Sequence, residues 1–527
     1  MTDTERDQLE ESAKGFAQQL GLEYFDTRPH LDIKPLIGKL TMEGMRAYGI
    51  VPISLTKTHL TLGTSEQTDR NLLEPLRARL GASGYVVDFK FISQFGWQRL
   101  LNRYSVAVTE DLLESGNFEK LNEQLNNMEP KYMFEPLVQM AYQLGASDIH
   151  IEPAERQARI RLRIDGTLHP IVTISKERYD LFSSDIQIRA NVKWGADEPQ
   201  GGRISVDIIN DEGDSMALNM RLETVPSLHG QDVVIRLFNL SVKFLNLDNL
   251  QLSPKQRDTL VRATSHPRGM VLTVGPTGSG KTSTLYSIMN HLNNDEVKIV
   301  TLEDPIEYEL EGISQIPVRS DNQQLFMEKL RAVLREDPNI VMIGEIRDAD
   351  TAKTALQASL TGHLVLSTFH ASSSAAAVTR LMDMIGQNPL LASSIRLIEA
   401  QRLVRTLCGV CKTSYKPSKQ ELLEIKTAFH GRPAEDQPDY DSLKLYKAVG
   451  CDACHHFGYR GRLSLIEQLD MTPKLQELIS AGTVATTTQV IEQAAVREGM
   501  MTLLQDGVRK AIEGKTTLEE IYGAVGE

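Results

Sequence analysis

The chain has 527 residues, with 57 lysines and arginines against 70 aspartates and glutamates, a formal net charge of −13, and four cysteines. At about 150 residues per domain, this length predicts three or more domains, and the 41% hydrophobic content excludes global disorder. No apolar run reaches the roughly 18 residues of a transmembrane helix, and the first residues are acidic where a signal peptide is basic. We therefore expect a cytoplasmic protein, and the acidic balance argues against general nucleic-acid binding.

The N-terminal part, residues 1–105, is predicted to be a small α/β module without a chemical motif. Apolar spacing favours helices at 9–20, 36–48 and 72–80 and a short strand at 60–62. Residues 106–132 are polar and predict a linker with helical character.

The second region, residues 133–241, begins with a predicted helix that ends near Gly145. Apolar and polar residues then alternate, which predicts a half-buried antiparallel sheet. The alternating apolar positions are Ile149, Ile151, Ile160, Leu162 and Ile164. Asp165-Gly166 is a two-residue hairpin signal, and residues 242–255 are predicted to be a second linker.

Short apolar runs alternate with helical patterns over residues 256–400. The runs are 271–274, 299–302, 340–343 and 364–368. This alternation is typical of a doubly wound, mostly parallel sheet that binds nucleotides. The cysteines follow in a lobe predicted over 401–467, and residues 468–527 are predicted to be helical.

A phosphate-binding loop follows the first of these runs. The residues Gly275, Pro276, Thr277, Gly278, Ser279, Gly280, Lys281 and Thr282 fit G-x-x-x-x-G-K-T. Backbone N–H groups of such a loop surround phosphate oxygens, the lysine reaches the β- and γ-phosphates, and the threonine hydroxyl binds Mg²⁺. With Ser283, these residues are the predicted site for ATP and Mg²⁺. A glycine-rich turn that matches by chance is the alternative, which the flanking strand and helix disfavour.

Hydrolysis also requires a carboxylate that orients water. The run Ile340–Ile343 ends in Gly344-Glu345, so glycine occupies the usual aspartate position, and Glu345 is the candidate base. Glu303 belongs to a second acidic cluster, 303–307, for which solvated loop acids are the alternative. His363 is a candidate reporter of the γ-phosphate, and a helix C-terminal cap is its alternative.

The four cysteines form two C-x₂-C pairs separated by 39 residues. Four thiolates at this spacing are typical of a tetrahedral structural Zn²⁺ site, and the long gap predicts an inserted lobe. Core cysteines and a redox pair are the alternatives. The predicted zinc ligands are Cys408, Cys411, Cys451 and Cys454.

Several segments in fixed order resemble the ATPases of type II secretion and type IV pilus assembly. The resemblance covers about residue 133 to the C-terminus. It lies in Ala146–Pro153, Gly275–Thr282, Thr301–Glu307, Ile343–Asp348, Thr361–Thr368 and the paired cysteines. The paired cysteines favour the assembly branch over the retraction motors, which are similar in the core but typically lack the zinc lobe.

This resemblance implies a RecA-like P-loop core preceded by a PAS-like α+β domain and the small N-terminal module. It further implies a homohexamer at the cytoplasmic face of the inner membrane, acting with a platform protein and an anchoring or assembly protein. Membrane contact is then indirect, and ATP turnover adds pilin subunits.

The resemblance also assigns roles to individual residues. Lys281 and Thr282 bind phosphate and Mg²⁺, and Glu345 is the catalytic glutamate. Glu303 and Glu307 are assigned to an acidic box, and His363 and His370 to a histidine box. Arg221 and Arg236 are assigned as arginine fingers. Arg331 and Arg335 are spaced i, i+4, and a salt-bridged surface residue is the alternative for each arginine.

The sequence departs from the family pattern at three points. Asp197-Glu198 is acidic where an arginine is typical, and the histidine box continues Phe369-His370-Ala371-Ser372 instead of Leu-His-Thr-Asn. Arg79-Leu80-Gly81 matches only the centre of a cyclic di-GMP motif found in some relatives, and we interpret it as chance. Two other functions stay open, a nucleic-acid or DNA-uptake ring motor and a nucleotide-gated scaffold without turnover.

Overall fold

The structure is a computed structural model. It describes the chain except for residues 1–2, 29–30, 32, 37–38, 41, 102, 105–117, 194, 211–214, 239–244, 320–321, 387, 389, 482–486 and 527. The chain divides into two compact units, Met1–Asn239 and Leu240–Glu527. Within the described ranges, none of the helices combines the length and apolar character needed to cross a membrane. Parts of both predicted linkers, 106–117 and 242–244, lie outside the described residues.

In the N-terminal module of the first unit, the described residues include the following helices and a three-stranded sheet. These are α1 (Asp3–Gln19), α2 (Met42–Tyr48), β1 (Ile50–Thr56), β2 (His59–Thr64), α3 (Leu73–Ala82) and β3 (Val86–Phe91). Strand β2 pairs antiparallel with β1 and parallel with β3. Apolar side chains such as Leu60, Leu62 and Leu100 form its core. The predicted helices and strand are therefore present, although α2 is shorter than predicted.

The rest of the first unit is an α+β arrangement around a six-stranded sheet. Its elements are α4 (Phe118–Asn127), α5 (Phe134–Gln143), β4 (Ala146–Pro153), β5 (Gln157–Ile164), β6 (Thr167–Ser175), α6 (Lys176–Arg189), β7 (Gln200–Ile209), β8 (Ser215–Ser227) and β9 (Gly230–Leu237). The strands lie in the order β6-β5-β4-β9-β8-β7, and every pair is antiparallel. Ile149 and Ile151 are fully buried, and Asp165 and Gly166 both have positive φ in the β5–β6 turn. The predicted alternation and hairpin are confirmed.

A seven-stranded sheet forms the centre of the second unit. Its strands are β10 (Gly269–Val274), β11 (Ile299–Glu303), β12 (Ser314–Pro317), β13 (Ile340–Ile343), β14 (Leu364–Phe369), β15 (Ile395–Leu407) and β18 (Tyr459–Asp470), with β16 (Thr413–Tyr415) and β17 (Leu445–Lys447) paired outside it. The order is β12-β11-β13-β14-β10-β15-β18, and only β18 runs antiparallel to its neighbour. The predicted mostly parallel sheet is confirmed.

Helices cover both faces of this sheet. They are α7 (Pro254–Thr264), α8 (Lys281–Leu292), α9 (Gln323–Val333), α10 (Ala349–Leu360), α11 (Ser374–Ile385) and α12 (Leu390–Ser394). Alternate residues of β10 point to opposite sides, with Met270 and Leu272 in one apolar cluster and Val271 in the other. The cluster of Val271 includes Leu285 of α8, and the cluster of Leu272 includes Leu356 of α10. This is the doubly wound arrangement expected from the sequence.

Strands β15 and β18 extend into the predicted 401–467 lobe. Because both belong to the central sheet, the segment inserted between them is 408–458, which holds the β16–β17 pair and α13 (Lys419–Ala428). The predicted domain boundaries at 400 and 467 therefore cut through two sheet strands.

The C-terminal helices follow β18 as predicted. They are α14 (Pro473–Ser480), α15 (Thr488–Arg497), α16 (Leu503–Ile512) and α17 (Leu518–Val525). Leu475, Ile491, Val508 and Ile521 join the same apolar cluster as the central sheet. The C-terminal region is therefore part of the core of the second unit and not a separate tail.

Candidate active site and metal centre

The predicted phosphate loop connects the carboxyl end of β10 to the first residue of α8. Strand β10 is buried at all six positions, and the loop follows with Gly275 and Gly280 at positive φ. A Cβ atom at Gly275 would lie 2.6 Å from the Gln401 carbonyl oxygen, and one at Gly280 would lie 2.8 Å from Gln401 Nε2. The loop therefore requires glycine at both positions, because the backbone curls tightly against β15.

Lys281 and Thr282 lie at the start of α8, where the helix dipole favours anions. The Lys281 ammonium donates to the carbonyl oxygens of Gly275 (3.0 Å) and Pro276 (2.8 Å). Burial lowers the pKa of Lys281, while the nearby Glu345 carboxylate raises it. Thr282 is exposed, and Ser279 Oγ is buried without a partner among the described residues. Donors on this loop therefore fit the phosphates of ATP, and the exposed Thr282 hydroxyl fits Mg²⁺.

Glu345 lies just beyond the carboxyl end of β13, beside the phosphate loop. Its carboxylate contacts His370 Nε2 at 2.8 Å and accepts from Arg347 Nε at 2.7 Å, and its side chain is 20% exposed. His370 follows β14, so the structure brings these predicted residues together. At Gly344, a Cβ would lie 3.1 Å from the Leu302 carbonyl oxygen of the neighbouring strand. This close approach accounts for glycine at the usual aspartate position.

Glu303 is buried, with 3% exposure, at the end of β11. Its carboxylate accepts hydrogen bonds from the Tyr286 hydroxyl, Thr301 Oγ1 (2.6 Å) and Gln315 Nε2 (3.1 Å). The Tyr286 hydroxyl also accepts from the backbone N–H of Glu307 at 3.3 Å. These hydrogen bonds give Glu303 a positioning role in this structure, and its predicted catalytic role stays a prediction. Glu303 ties the helix of the phosphate loop to the acidic cluster.

His363 is not brought to the phosphate site. It precedes β14 at the amino end of that strand, where its carbonyl oxygen accepts from Gly269 N–H, and the extended β14 separates it from His370 by roughly 23 Å. Its Nδ1 lies 3.0 Å from the Ala358 carbonyl oxygen near the end of α10. This contact matches the alternative of a helix C-terminal cap, and the role of His363 as a γ-phosphate reporter stays a prediction.

The two candidate arginine fingers lie in the first unit as direct cross-strand neighbours. Arg221 on β8 pairs in register with Arg236 on β9. The Arg221 side chain donates to Glu223 at 2.6 Å, and the Arg236 side chain donates to Asp148 at 3.0 Å. The side chain of Arg221 is 49% exposed, and that of Arg236 is 63% exposed.

Other arginines singled out by the sequence lie at the surface. Arg331 is exposed near the end of α9, which stops at Val333, so Arg335 lies beyond the helix and the shared helical face is not formed. Three arginines that alternate along β5 also lie on a salt-bridged surface, where they pair with acids of β4. They are Arg159, Arg161 and Arg163.

Two residues next to the phosphate loop were not predicted. Gln401 on β15 accepts from Thr284 Oγ1 (2.8 Å) and donates to Ser464 Oγ (3.0 Å), which links α8 to β15 and β18. Arg402 donates to the Ser372 carbonyl oxygen at 2.8 Å, so it holds the loop that carries His370. Their motif-free segment was assigned to the zinc lobe, and only the strand pairing shows that it underlies the nucleotide site.

The four cysteines converge at the base of the inserted lobe. Their sulfur atoms lie within 4.8 Å of one another, and three of the sulfur pairs are 3.8 to 3.9 Å apart. With Zn–S bonds of about 2.3 Å, a tetrahedron has sulfur pairs about 3.8 Å apart. None of the four is in a disulfide. The arrangement therefore fits Zn²⁺ and leaves no open coordination position.

Backbone N–H groups point at these sulfurs. Gly450 N–H donates to Cys411 Sγ at 3.3 Å, and Gly458 N–H donates to Cys454 Sγ at 3.2 Å. Burial raises the pKa of the Cys408 thiol, but backbone N–H groups outweigh it and lower that pKa to about 7. Burial and the adjacent thiols raise the pKa of Cys451 to about 11. One thiolate thus disfavours deprotonation of the next thiol, and a cation is needed to hold all four cysteines deprotonated.

Comparisons with known proteins agree with this geometry. The family model described as "Type II/IV secretion system protein" matches residues 123–523, and the one described as "MshEN domain" matches 20–110. Type II secretion system ATPase E of Vibrio cholerae is 40% identical over 422 residues, 79% of this chain and 78% of that protein. Type IV pilus assembly ATPase PilB of Thermus thermophilus is 33% identical over 522 residues, 97% of this chain and 57% of that protein. The X-ray structure of the Legionella pneumophila ATPase DotB has a similar fold, with TM-score 0.54 and 21% identity over 75% of this chain and 95% of that chain.

Proposed function

Because this chain belongs to the type II/IV secretion system protein family, we propose that it is a hexameric motor that drives type IV pilus assembly or extension of a type II secretion pseudopilus. It is a P-loop ATPase of that family. One observation carries the proposed use of the site. The phosphate loop, Glu345 and His370 meet at the carboxyl edge of neighbouring strands β10, β13 and β14, where a parallel sheet binds its ligand.

Lys281 leaves the loop carbonyls to bind the β- and γ-phosphates of ATP, and Thr282 holds Mg²⁺. When bound there, Mg²⁺ would neutralise charge on these phosphates. Glu345 then orients a water molecule in line with the γ-phosphorus and accepts its proton as the water attacks. Because Arg347 and His370 occupy both Glu345 oxygens in this structure, one of these contacts must open first.

Arg221 and Arg236 supply positive charge to the transferring phosphoryl group in the assembled ring. Charge that develops on the γ-phosphate requires cations, and both guanidinium groups have an exposed end. Arg331 and Arg335 are exposed and suited to the same task at a neighbouring subunit.

Zn²⁺ at the four cysteines has a structural role. All four ligands are sulfur, so no position is left for water or substrate. The metal would hold the base of the 408–458 insertion, directly after β15. In that strand, Gln401 contacts Thr284 of α8, and Arg402 contacts the loop that carries His370.

The N-terminal module favours the pilus branch of the proposal. The PilB relative of Thermus thermophilus aligns over 97% of this chain, whereas the type II secretion relative of Vibrio cholerae aligns over 79%. We propose that the module binds an anchoring or assembly protein and that the ring acts beneath a platform protein at the inner membrane. The net charge of −13 argues that contact with anionic lipid runs through these proteins.

The catalytic assignment is tested by ATPase assays on purified full-length Lys281→Ala and Glu345→Gln. Each change removes a group that acts in the transition state, so we expect losses of at least about 100-fold in kcat. Glu477→Gln, an exposed glutamate of α14, is the matched control and should keep wild-type turnover. Activity that survives either active-site change refutes the assignment.

The same assay separates the other functions. Strong stimulation of ATPase activity by single-stranded DNA would identify a nucleic-acid or DNA-uptake motor instead. Phosphate release at background level from the wild-type ring would identify a nucleotide-gated scaffold. Stimulation by a co-purifying platform protein, without an effect of DNA, is the expected result.

A further inference from the structure

One row of charged residues crosses the exposed face of the six-stranded sheet in the first unit. Strand register places Arg203, Arg221, Arg236, Asp148 and Arg163 directly opposite one another on β7, β8, β9, β4 and β5. Like charges directly opposite one another destabilise a sheet. Within this row, the carboxylate of Asp148 lies among four guanidinium groups. It is next to Arg236, one of the two candidate arginine fingers.

Asp148 is the buried member of this row, with a side chain that is 7% exposed. Its Oδ1 accepts from Arg236 Nε at 3.0 Å, and its Oδ2 accepts from Ser147 Oγ at 2.8 Å and lies 3.5 Å from Arg163 Nε. The strand register shifts between Ala146 and Asp148, and a bulge of this kind re-aims the side chain beside it. Asp148 is thus fixed from two sides before it meets Arg236.

The contact with Arg236 is made through Nε. A guanidinium has five N–H donors, and an acceptor at Nε fixes the side chain along its length and leaves the terminal nitrogens for a second anion. The Arg236 side chain stays 63% exposed although Nε is held. Arg221 differs, because its partner Glu223 is itself 48% exposed and is a less rigid support.

We propose that Asp148 is a positioning residue that orients the Arg236 guanidinium toward the nucleotide phosphate. This inference rests on the proposed role of Arg236 as an arginine finger. A group that acts only in the transition state must already point in the right direction, since misplacement by about 1 Å can cost 100-fold in rate. Asp148 supplies that orientation without contact with the nucleotide.

The test is a double-mutant cycle on the full-length hexamer, with Asp148→Asn, Arg236→Ala and the double variant. Steady-state ATPase assays give kcat and KM for each. We expect Asp148→Asn to lower kcat by about 10-fold to 100-fold with little change in KM, because only transition-state contacts are lost. In the Arg236→Ala background, the same change should have no further effect.

Glu152→Gln is the matched control. Glu152 lies on the same strand and face as Asp148 and pairs with Arg161, but it lies outside the row of Arg236. It should keep wild-type kcat. Ser147→Ala is a milder second variant, since it removes one donor to Asp148 without a change in charge. It should lower kcat by a smaller factor, again only when Arg236 is present.

The outcomes separate this inference from the proposed function. If Arg236→Ala keeps wild-type turnover, the role of Arg236 as a finger fails. If Arg236→Ala is inactive while Asp148→Asn and Ser147→Ala match the wild type, the finger stands and the positioning role of Asp148 is overturned. Equal losses from Asp148→Asn in both backgrounds would also overturn it, because Asp148 would then act independently of Arg236.

Discussion

Glu399 is a buried carboxyl group with an unusual pKa in the middle of the central sheet. It lies on β15 with 1% exposure, its Oε2 accepts from Gln468 Nε2 at 2.8 Å, and its Oε1 has no partner among the described residues. Burial raises the pKa of this carboxyl from 4.5 to about 7, with Lys510 acting in the opposite direction. The folded protein therefore binds a proton that the unfolded chain releases between these two values.

We expect Glu399→Gln to become progressively more stabilising, relative to the wild type, as the pH rises. The raised pKa means that the wild-type protein loses stability from about pH 4.5 to pH 7 and no more above it. A shift of this size corresponds to roughly 3 kcal/mol at 1.36 kcal/mol per pKa unit. The neutral isostere keeps the shape and lacks this titration, so its advantage should grow from below about 1 kcal/mol at pH 5 to about 3 kcal/mol at pH 8.

The assay is thermal unfolding of the full-length proteins between pH 5 and pH 8. At about 2 to 4 °C per kcal/mol for a domain of this class, the variant should melt roughly 6 to 12 °C above the wild type at pH 8. Glu467→Gln is the contrasting variant, because both oxygens of Glu467 accept backbone N–H groups, from Ser374 and Leu503, and an amide serves only one. It should destabilise. A melting difference for Glu399→Gln that does not change with pH refutes the reasoning.

Three further predictions concern the sites themselves. Cys454→Ser should reduce the zinc content from about one ion per chain to near zero by elemental analysis; four titratable thiols in zinc-free wild-type protein would contradict the metal centre. His370→Ala should lower kcat by at least about tenfold, whereas His363→Ala should keep wild-type turnover; a reversed order would contradict the geometry. Tyr286→Phe removes a donor to the buried Glu303 and should lower the free energy of unfolding by about 1–3 kcal/mol in urea titrations; unchanged stability would show that Glu303 does not need this bond.

The sequence predicts strands β10, β11, β13 and β14 well because each is a short apolar run buried on both faces. Strand β15 was missed for the opposite reason. Its 13 residues include Glu399, Gln401 and Arg402, and polar groups in a buried strand hide the apolar pattern. The partners of Glu399 and Gln401 lie on β18 and α8, more than 60 and 110 residues away in sequence, so only the fold pairs them.

Motifs predict proximity along the chain more reliably than position in space. His363 and His370 belong to one motif, but an entire strand separates them, and only the residue at the carboxyl end reaches Glu345. Glu303 fits its motif equally well, yet Tyr286 and Thr301 occupy its carboxylate. Neither outcome follows from spacing, since burial and hydrogen-bond partners depend on tertiary contacts.

The position of the cysteines at the base of the 408–458 insertion has an evolutionary consequence. A hairpin connection between β15 and β18 needs only a short turn. The part of the 408–458 insertion beyond the four cysteines can therefore lengthen, shrink or be exchanged while the sheet register is kept. Loop-closure entropy rises by only about 0.6 kcal/mol for each doubling of loop length. A metal ion bound by the four cysteines would thus allow the lobe to change in length while β15 and β18 keep their pairing.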